Sequence, residues 1–341
     1  DRNFEFSVEH VALAKQADVV MIAPASANVI GKIAHGIADD MLTTTVMACR
    51  CKKILAPAMN TNMYENPILQ DNLDICRRYG MEVITPAWGY LACGDTGAGK
   101  MPEPEVLYEY ILREAGYPGD LAGRRILVTA GPTRESIDPV RYITNHSTGK
   151  MGYAIARVAA YRGADVTLVS GPVDLPRPLF VETVLVESAR EMFEAVTARS
   201  GEQDIIVKAA AVADYRPATV GTEKIKKSDG DLSIALERTD DILGWLGQNR
   251  RDGQFLCGFS METQNMLENS RAKLAKKQID MIVANNLKVE GAGFGTDTNV
   301  VTLITRESET ELPIMSKEEV ADRLLTEILK RTKGQGGLNP A

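Results

Sequence analysis

Apolar residues fall along this chain in short β-branched runs separated by amphipathic stretches. The runs are DVVMIA (18–23), KKILA (52–56), MEVIT (81–85), RRILVTA (124–130), ADVTLVS (164–170), DIIVKAA (204–210), QFLCGF (254–259), IDMIVAN (279–285) and NVVTLIT (299–305). Between them, NVIGKIAHGIADDMLTTTVMA, NPILQDNLDICRRYG and GYAIARVAAYRG carry helical spacing. Strand–helix alternation of this kind predicts parallel strands joined by crossover helices, an α/β class with doubly wound, Rossmann-like units. At AGYPGDLAG (115–123) proline and glycines interrupt the pattern before a new first strand. Two units are therefore expected, roughly 1–118 and 119–341, with a disordered tail over about 333–341. The chain opens on DRNFEFSVEHVALAKQ, without a first strand, as though an α/β domain were entered partway; the expectation is a truncated N-terminus.

Composition narrows the class. The 341 residues are 44% hydrophobic, enough for two ordinary globular domains, and no apolar run approaches a membrane span. A net charge of −7 argues against nucleic acid or an anionic membrane as the main partner, so any basic cluster is a local device. Five cysteines (Cys49, Cys51, Cys76, Cys93, Cys257) are too few and too irregular for a disulfide framework, which fits a reducing cytoplasm. Cys49 and Cys51 alone have close spacing, and without a second pair they read as structural rather than metal-binding.

Ligands in doubly wound sheets bind at the carboxyl ends of strands, so the loops after each run carry the candidates. After DVVMIA, Ser26, Ala27 and Asn28 open a helix, offering a hydroxyl, an amide and free N–H groups to an anion or flat polar ring, or simply an N-cap. After KKILA comes PAMNTNMY (57–64), where Met59 and Met63 give soft apolar contacts and Asn60 either bonds a carboxylate or amide or forms a plain Asx turn. GYLACGDTGAGKMPEPE (89–105) reads as a glycine-rich mobile flap that leaves the Cys93 thiol accessible as a proton donor. In the second unit, Gly149 and Gly152 open a helix that Ser147 and Thr148 can cap, with Lys150 adding charge: a phosphate site at a helix N-terminus. Only GKMG stands there, not a GxGxxG fingerprint, which weighs against a dinucleotide dehydrogenase. Downstream, Asp214 follows a strand, and Lys224, Lys226 and Lys227 form a basic arm in an acidic chain, either a solvated loop or a triphosphate contact.

Taken together, the first-unit loops resemble the flavin-dependent cysteine decarboxylase family, specifically phosphopantothenoylcysteine decarboxylase. PAMNTNMY matches its Pro-x-Met-Asn-x-x-Met motif and CGDTGAGKM (93–101) its substrate-clamp flap. The resemblance implies a flavodoxin-like unit in which Asn60, with Met59, grips the substrate carboxylate and Cys93 is the proton donor. His10 in EHVALAKQAD corresponds to the family's base, and PASAN, with Ser26, Ala27 and Asn28, to a loop contacting FMN. The second unit closely resembles phosphopantothenate–cysteine ligase through TAGPTRE (129–135), IDPVRYITNHSTGKMG (137–152), AAVADYRP (210–217), EKIKK (223–227), GF (258–259), MET (261–263) and GFGTDTN (293–299).

That second resemblance implies CTP with Mg²⁺ as the activating nucleotide and 4′-phosphopantothenate and cysteine as the other substrates. It places nucleotide on Asp214, Lys224, Asp240, Asp241, Ile242, Leu243, Phe259, Lys273 and Lys277. Arg141 and Asn145 handle phosphopantothenate and its acyl-cytidylate, with Asn145 and Lys224 in catalytic roles. The family further implies homo-oligomers, the decarboxylase halves trimeric and the ligase halves dimeric. Cations neutralising charge on the attacked α-phosphate suit that chemistry, and flavin carries the redox half of the decarboxylation. Three rival readings stay open: a nicotinamide dehydrogenase, a non-catalytic flavoprotein subunit, and a ligase-only fragment with an incomplete first half.

Overall fold

A computed structural model describes residues 8–226, 232–261, 266–285, 293 and 295–332. The expected disordered tail, Lys227 of the basic arm, Glu262 and Thr263 of MET and Phe294 of GFGTDTN lie outside the described residues. The chain divides into two compact units, Asp1–Pro118 and Gly119–Ala341.

The first unit runs α1 (Glu9–Gln16), β1 (Val19–Ala25), α2 (Ala27–Ala34), α3 (Met41–Ala48), β2 (Lys52–Pro57), α4 (Thr61–Tyr64), α5 (Pro67–Arg78), β3 (Glu82–Val83), β4 (Ala87–Tyr90), β5 (Thr96–Lys100) and α6 (Pro104–Ile111). Strands β1, β2 and β3 form a parallel sheet in that order, and β4–β5 form a separate antiparallel hairpin. Ile22, Leu55, Leu69 and Leu73 bury one face of the sheet against α2 and α5, and Ile54, Ala56, Ile84 and Leu107 fill the other. The single helical stretch expected after β1 is two helices. Gly36 leaves the helical region at φ 70°, and Asp40 starts α3 with a reciprocal capping box to Thr43.

The second unit runs β6 (Arg125–Ala130), β7 (Arg134–Ser136), β8 (Tyr142–Thr144), α7 (Lys150–Tyr161), β9 (Asp165–Ser170), β10 (Val181–Leu185), α8 (Ala189–Ser200), β11 (Ile205–Lys208), β12 (Tyr215–Pro217), β13 (Leu236–Arg238), α9 (Ile242–Gln248), β14 (Phe255–Met261), α10 (Met266–Lys277), β15 (Met281–Asn285), β16 (Thr298–Thr305), β17 (Glu309–Ser316) and α11 (Lys317–Thr332). Its sheet has eight strands in the order β10-β9-β6-β11-β14-β15-β16-β17. The first six are parallel; β6, β9, β11, β14 and β15 are buried along most of their length, as strands covered by helices on both faces must be, whereas the edge strand β10 (VETVL) is not. The last two run antiparallel, because β16 and β17 join through a short turn closed by Thr305 and Ser308 instead of a crossover helix. Order 9-6-11 reverses the winding direction at β6 and β11, and the crevice beyond their carboxyl ends is the place where such a sheet takes ligands.

Candidate active sites

In the first unit the β4–β5 hairpin folds over the loop that follows β2. Met59 N–H donates to the Gly99 carbonyl at 2.9 Å, and a Cβ at Gly99 would stand 2.2 Å from the Met59 carbonyl oxygen at a backbone φ of 129°. Glycine is what allows this approach. The expected mobile flap is thus a hairpin pinned at its base, with Cys93 exposed at its turn. The turn brings Cys93 to the Asn60 side chain, whose Nδ2 donates to Cys93 Sγ and to Asp95 Oδ2, each at 3.3 Å, while the thiol lies 3.5 Å from the same carboxylate oxygen. Asn60 Oδ1 accepts from Asn62 N–H, so the Asx turn and the side-chain cluster coexist. Pro24, Met59, Asn60, Leu91, Cys93 and Met101 line a cavity of about 550 Å³ here.

Other candidates of this unit stand apart from that lining. Ser26 caps α2, its hydroxyl accepting from Val29 N–H, which leaves the first amides of the helix at Ala27 and Asn28 without an intrahelical acceptor. Asn28 is exposed and makes no side-chain hydrogen bond among the described residues. These unspent donors at the end of β1 fit an anionic or flat polar group. His10 is half-buried on α1, which lies against α3 and does not line the Cys93 cavity.

In the second unit the loops after β6 and β11 are stitched side by side. Ala211 N–H donates to the Gly131 carbonyl at 2.9 Å, and Ala213 N–H to Thr133 Oγ1 at 3.0 Å. The β7–β8 hairpin carries Asn145 to this seam, where its Nδ2 donates to the Ala211 carbonyl at 2.9 Å. Helix α7 then starts at Gly149, in left-handed conformation with no side-chain cap; the expected capping by Ser147 is replaced by Ser147 Oγ accepting from the Gly149 amide. Gly152 has no room for a Cβ, which would lie 2.5 Å from that of Ala130, and so lets α7 lie directly on β6.

Two cavities open at these strand ends. One, about 480 Å³, is lined by Asn145, the first turn of α7 from Gly149 to Gly152, Asn299 and Lys317. The other, about 400 Å³, is lined by Asp214, Arg238, Asp240, Asp241, Ile242, Leu243, Phe259, Lys273 and Lys277. Lys208, Asp214, Phe259 and Lys273 line both. Asp241 also caps α9 through Gly244 N–H and pairs with Lys277. Lys208 ends β11, donates to the Ala210 carbonyl at 3.2 Å and is half-buried. Desolvation, with Lys273 close by, pulls its pKa down to about 8. Sequence reasoning passed over Lys208, although a lysine closing an apolar run at a strand's carboxyl end was a usable signal.

Arg141 and Lys224 lie outside both linings. Arg141 grips the buried Asp138, whose carboxyl it holds well below the usual range, and reaches the Ile225 carbonyl at 3.0 Å. Asp138 accepts from Ile225 N–H as well, so the pair anchors the arm on which exposed Lys224 stands. Among the described residues no three His, Cys, Asp or Glu side chains are placed to hold a metal ion.

Comparison with known proteins now bears on these clefts. The Flavoprotein family model matches residues 1–116, and that of the DNA/pantothenate metabolism flavoprotein C-terminal domain matches residues 121–332. The coenzyme A biosynthesis bifunctional protein CoaBC of Bacillus subtilis is 48% identical over 335 residues, 96% of this chain and 82% of that protein. The chain belongs to the family of bifunctional coenzyme A biosynthesis proteins. It is an enzyme that combines phosphopantothenoylcysteine decarboxylase and phosphopantothenate–cysteine ligase activities. A crystal structure of the C-terminal domain of a CoaBC protein superposes with a TM-score of 0.55 at 47% identity, covering 64% of this chain and all of that one. A cysteine/cysteine sulfinic acid decarboxylase from an unknown prokaryotic organism is 44% identical, over 94% of this chain and 91% of that protein. No helix among the described residues is long and apolar enough to cross a membrane.

Proposed function

We propose that the second unit activates 4′-phosphopantothenate with CTP and passes the acyl group to cysteine, and that the first decarboxylates the product to 4′-phosphopantetheine with FMN. The observation that carries the ligase half is the pair of cavities meeting over Lys208, Asp214, Phe259 and Lys273. Nucleotide fits between Asp214 and the Asp240–Leu243 turn, with Phe259 against it and Lys273 and Lys277 on its phosphates. Phosphopantothenate fits the cavity of Asn145 and α7. Its carboxylate attacks the α-phosphorus, pyrophosphate leaves, and cysteine's amine then displaces CMP from the acyl-cytidylate. Asn145, anchored on the Ala211 carbonyl, orients that acyl group. Lys224 closes onto the phosphates from the arm that Arg141 anchors. Mg²⁺ arrives with the triphosphate, as Mg²⁺ commonly does.

In the first unit Ser26, Ala27 and Asn28 would hold FMN, which supplies the redox chemistry. Asn60 grips the substrate carboxylate beside Met59, and Cys93 protonates the carbon left after CO₂ departs. His10 is the base of the resemblance, from whatever position it occupies when the enzyme is assembled as homo-oligomers. Five free thiols suit a cytoplasmic setting. The test is pyrophosphate release from CTP and phosphopantothenate, with the visible spectrum of the purified protein. Turnover of free cysteine or its sulfinate without phosphopantothenoylcysteine turnover would favour the activity named for the third relative.

A further inference from the structure

We propose that Lys208 is a catalytic residue of the activation step, its ammonium bridging the attacking carboxylate and the α-phosphate of the nucleotide. This rests on the ligase reading above. Activation brings two anions together, and nothing proceeds until a cation lies between them. Lys208 is the lysine that closes β11 at the point where the seam of the β6 and β11 loops meets the sheet, and it lines both cavities. Lys273 also lines both cavities, but it stands on helix α10 and not on the strand that carries the seam. Lys208 is on the strand, held at its tip by the Ala210 carbonyl, and so is fixed before either substrate arrives. A fixed cation in a partly desolvated crevice stabilises developing charge without reorganising.

The charged groups facing it are Lys273 and Lys277 of α10 and Asp214 beyond β11. Arg238, Asp240 and Asp241 stand further round one cavity, and His146, Lys150 and Lys317 round the other. With its pKa drawn down to about 8, Lys208 loses its charge as pH rises through that value. The kcat/KM of activation, which reports the free enzyme, should therefore fall on the alkaline side of pH 8.

The experiment uses the full chain and measures steady-state pyrophosphate release from CTP and phosphopantothenate with saturating cysteine, so that the enzyme turns over. K208Q should lower kcat by roughly 10²–10³ while KM for CTP moves less than about tenfold, because the interaction matures only in the transition state. K208R should recover part of that rate and lose the alkaline fall near pH 8, since guanidinium does not titrate there while every neighbouring group is retained. Wild-type kcat in K208Q, or an alkaline limb unchanged in K208R, would overturn the assignment while leaving the ligase reading intact. Failure of the wild-type protein to release pyrophosphate would sink the ligase reading itself. Should K208Q not fold, the pH profile of K208R decides alone.

Discussion

The two clefts are built on opposite plans. In the ligase unit the candidate groups sit at the ends of buried parallel strands: Lys208 on β11, Phe259 on β14, Asn145 stitched to the β11 loop. In the decarboxylase unit they sit on loops: Asn60 after β2, and Cys93 in the turn of a hairpin that rests on the Met59–Thr61 segment through two tight glycine contacts, at Gly97 and Gly99. Strand-end groups gain a fixed, partly desolvated setting, which is why a lysine there departs far from its ordinary pKa. Groups on a hairpin gain access and movement, and depend on hydrogen bonds among themselves for position.

Cys93→Ser tests the loop-built site most severely. The thiol is the acid of the proposed chemistry, so phosphopantetheine formation should fall by about 10²–10⁴ while CO₂ release continues and pyrophosphate release stays at the wild-type rate. The three readouts are followed on the same preparation with phosphopantothenoylcysteine or with CTP and phosphopantothenate. Normal phosphopantetheine yield would mean that another acid serves the carbon and that the hairpin is only a cover.

Lys224→Gln asks whether the ligase cleft is as preformed as its strands suggest. Lys224 is exposed, outside both cavity linings, on an arm tethered by Asp138 and Arg141. If the arm closes on the phosphates, kcat should drop about 10²-fold with a small change in nucleotide affinity. A wild-type rate would confine the ligase chemistry to the strand-end residues and widen the contrast between the clefts.

How far each plan was legible follows from burial. Strands covered on both faces must be apolar throughout, so β1, β2, β6, β9, β11, β14, β15 and β16 all fall on the β-branched runs. The β4–β5 hairpin has no such signal, because TGAGK has almost no β-branched character and is a strand only through its pairing with β4. Strands β7, β8, β12 and β13 are three residues each, held by cross-strand partners that no local pattern records. The contact of Asn60 with Cys93 joins positions 33 apart, which no spacing records; the resemblance gives each a role toward the substrate but not the bond between them. Lys208 carries a weaker signal: a lysine near the end of an apolar run marks the carboxyl end of a strand, and only the two cavities meeting there mark it as a site residue.

Gly99→Ala gives a graded attack on the hairpin. The added methyl cannot stay 2.2 Å from a carbonyl oxygen, and φ 129° is unfavourable for any Cβ, so β5 must lift from the Met59–Asn60 loop. Decarboxylation should fall about tenfold or more through misplacement of Cys93, with a loss of about 1–3 kcal/mol confined to the first unit and ligase turnover unchanged. Limited proteolysis at the hairpin together with both activities checks this, and a simultaneous loss of ligation would show that the clefts are coupled.

The smallest effect concerns the acid stability of the first unit. Asp40 caps α3 through Thr43 N–H, pairs with Lys32, and has its pKa lowered to about 2 from the ordinary 3.8. The backbone hydrogen bond from Thr43 is the leading cause, followed by Lys32. A carboxyl depressed on folding contributes stability that is complete above its unfolded pKa and is lost as pH falls from about 4 through about 2. Asp40→Asn keeps a good N-cap but removes the titration and the ion pair. Activity at neutral pH should be unchanged, while the acid-induced loss of first-unit structure, followed by circular dichroism from pH 5 to 2, becomes shallower across that window. The group is exposed and solvent screens it, so the change is expected to be slight. An unaltered acid transition would place the acid sensitivity of this unit on other carboxylates and leave α3 held by its backbone cap alone.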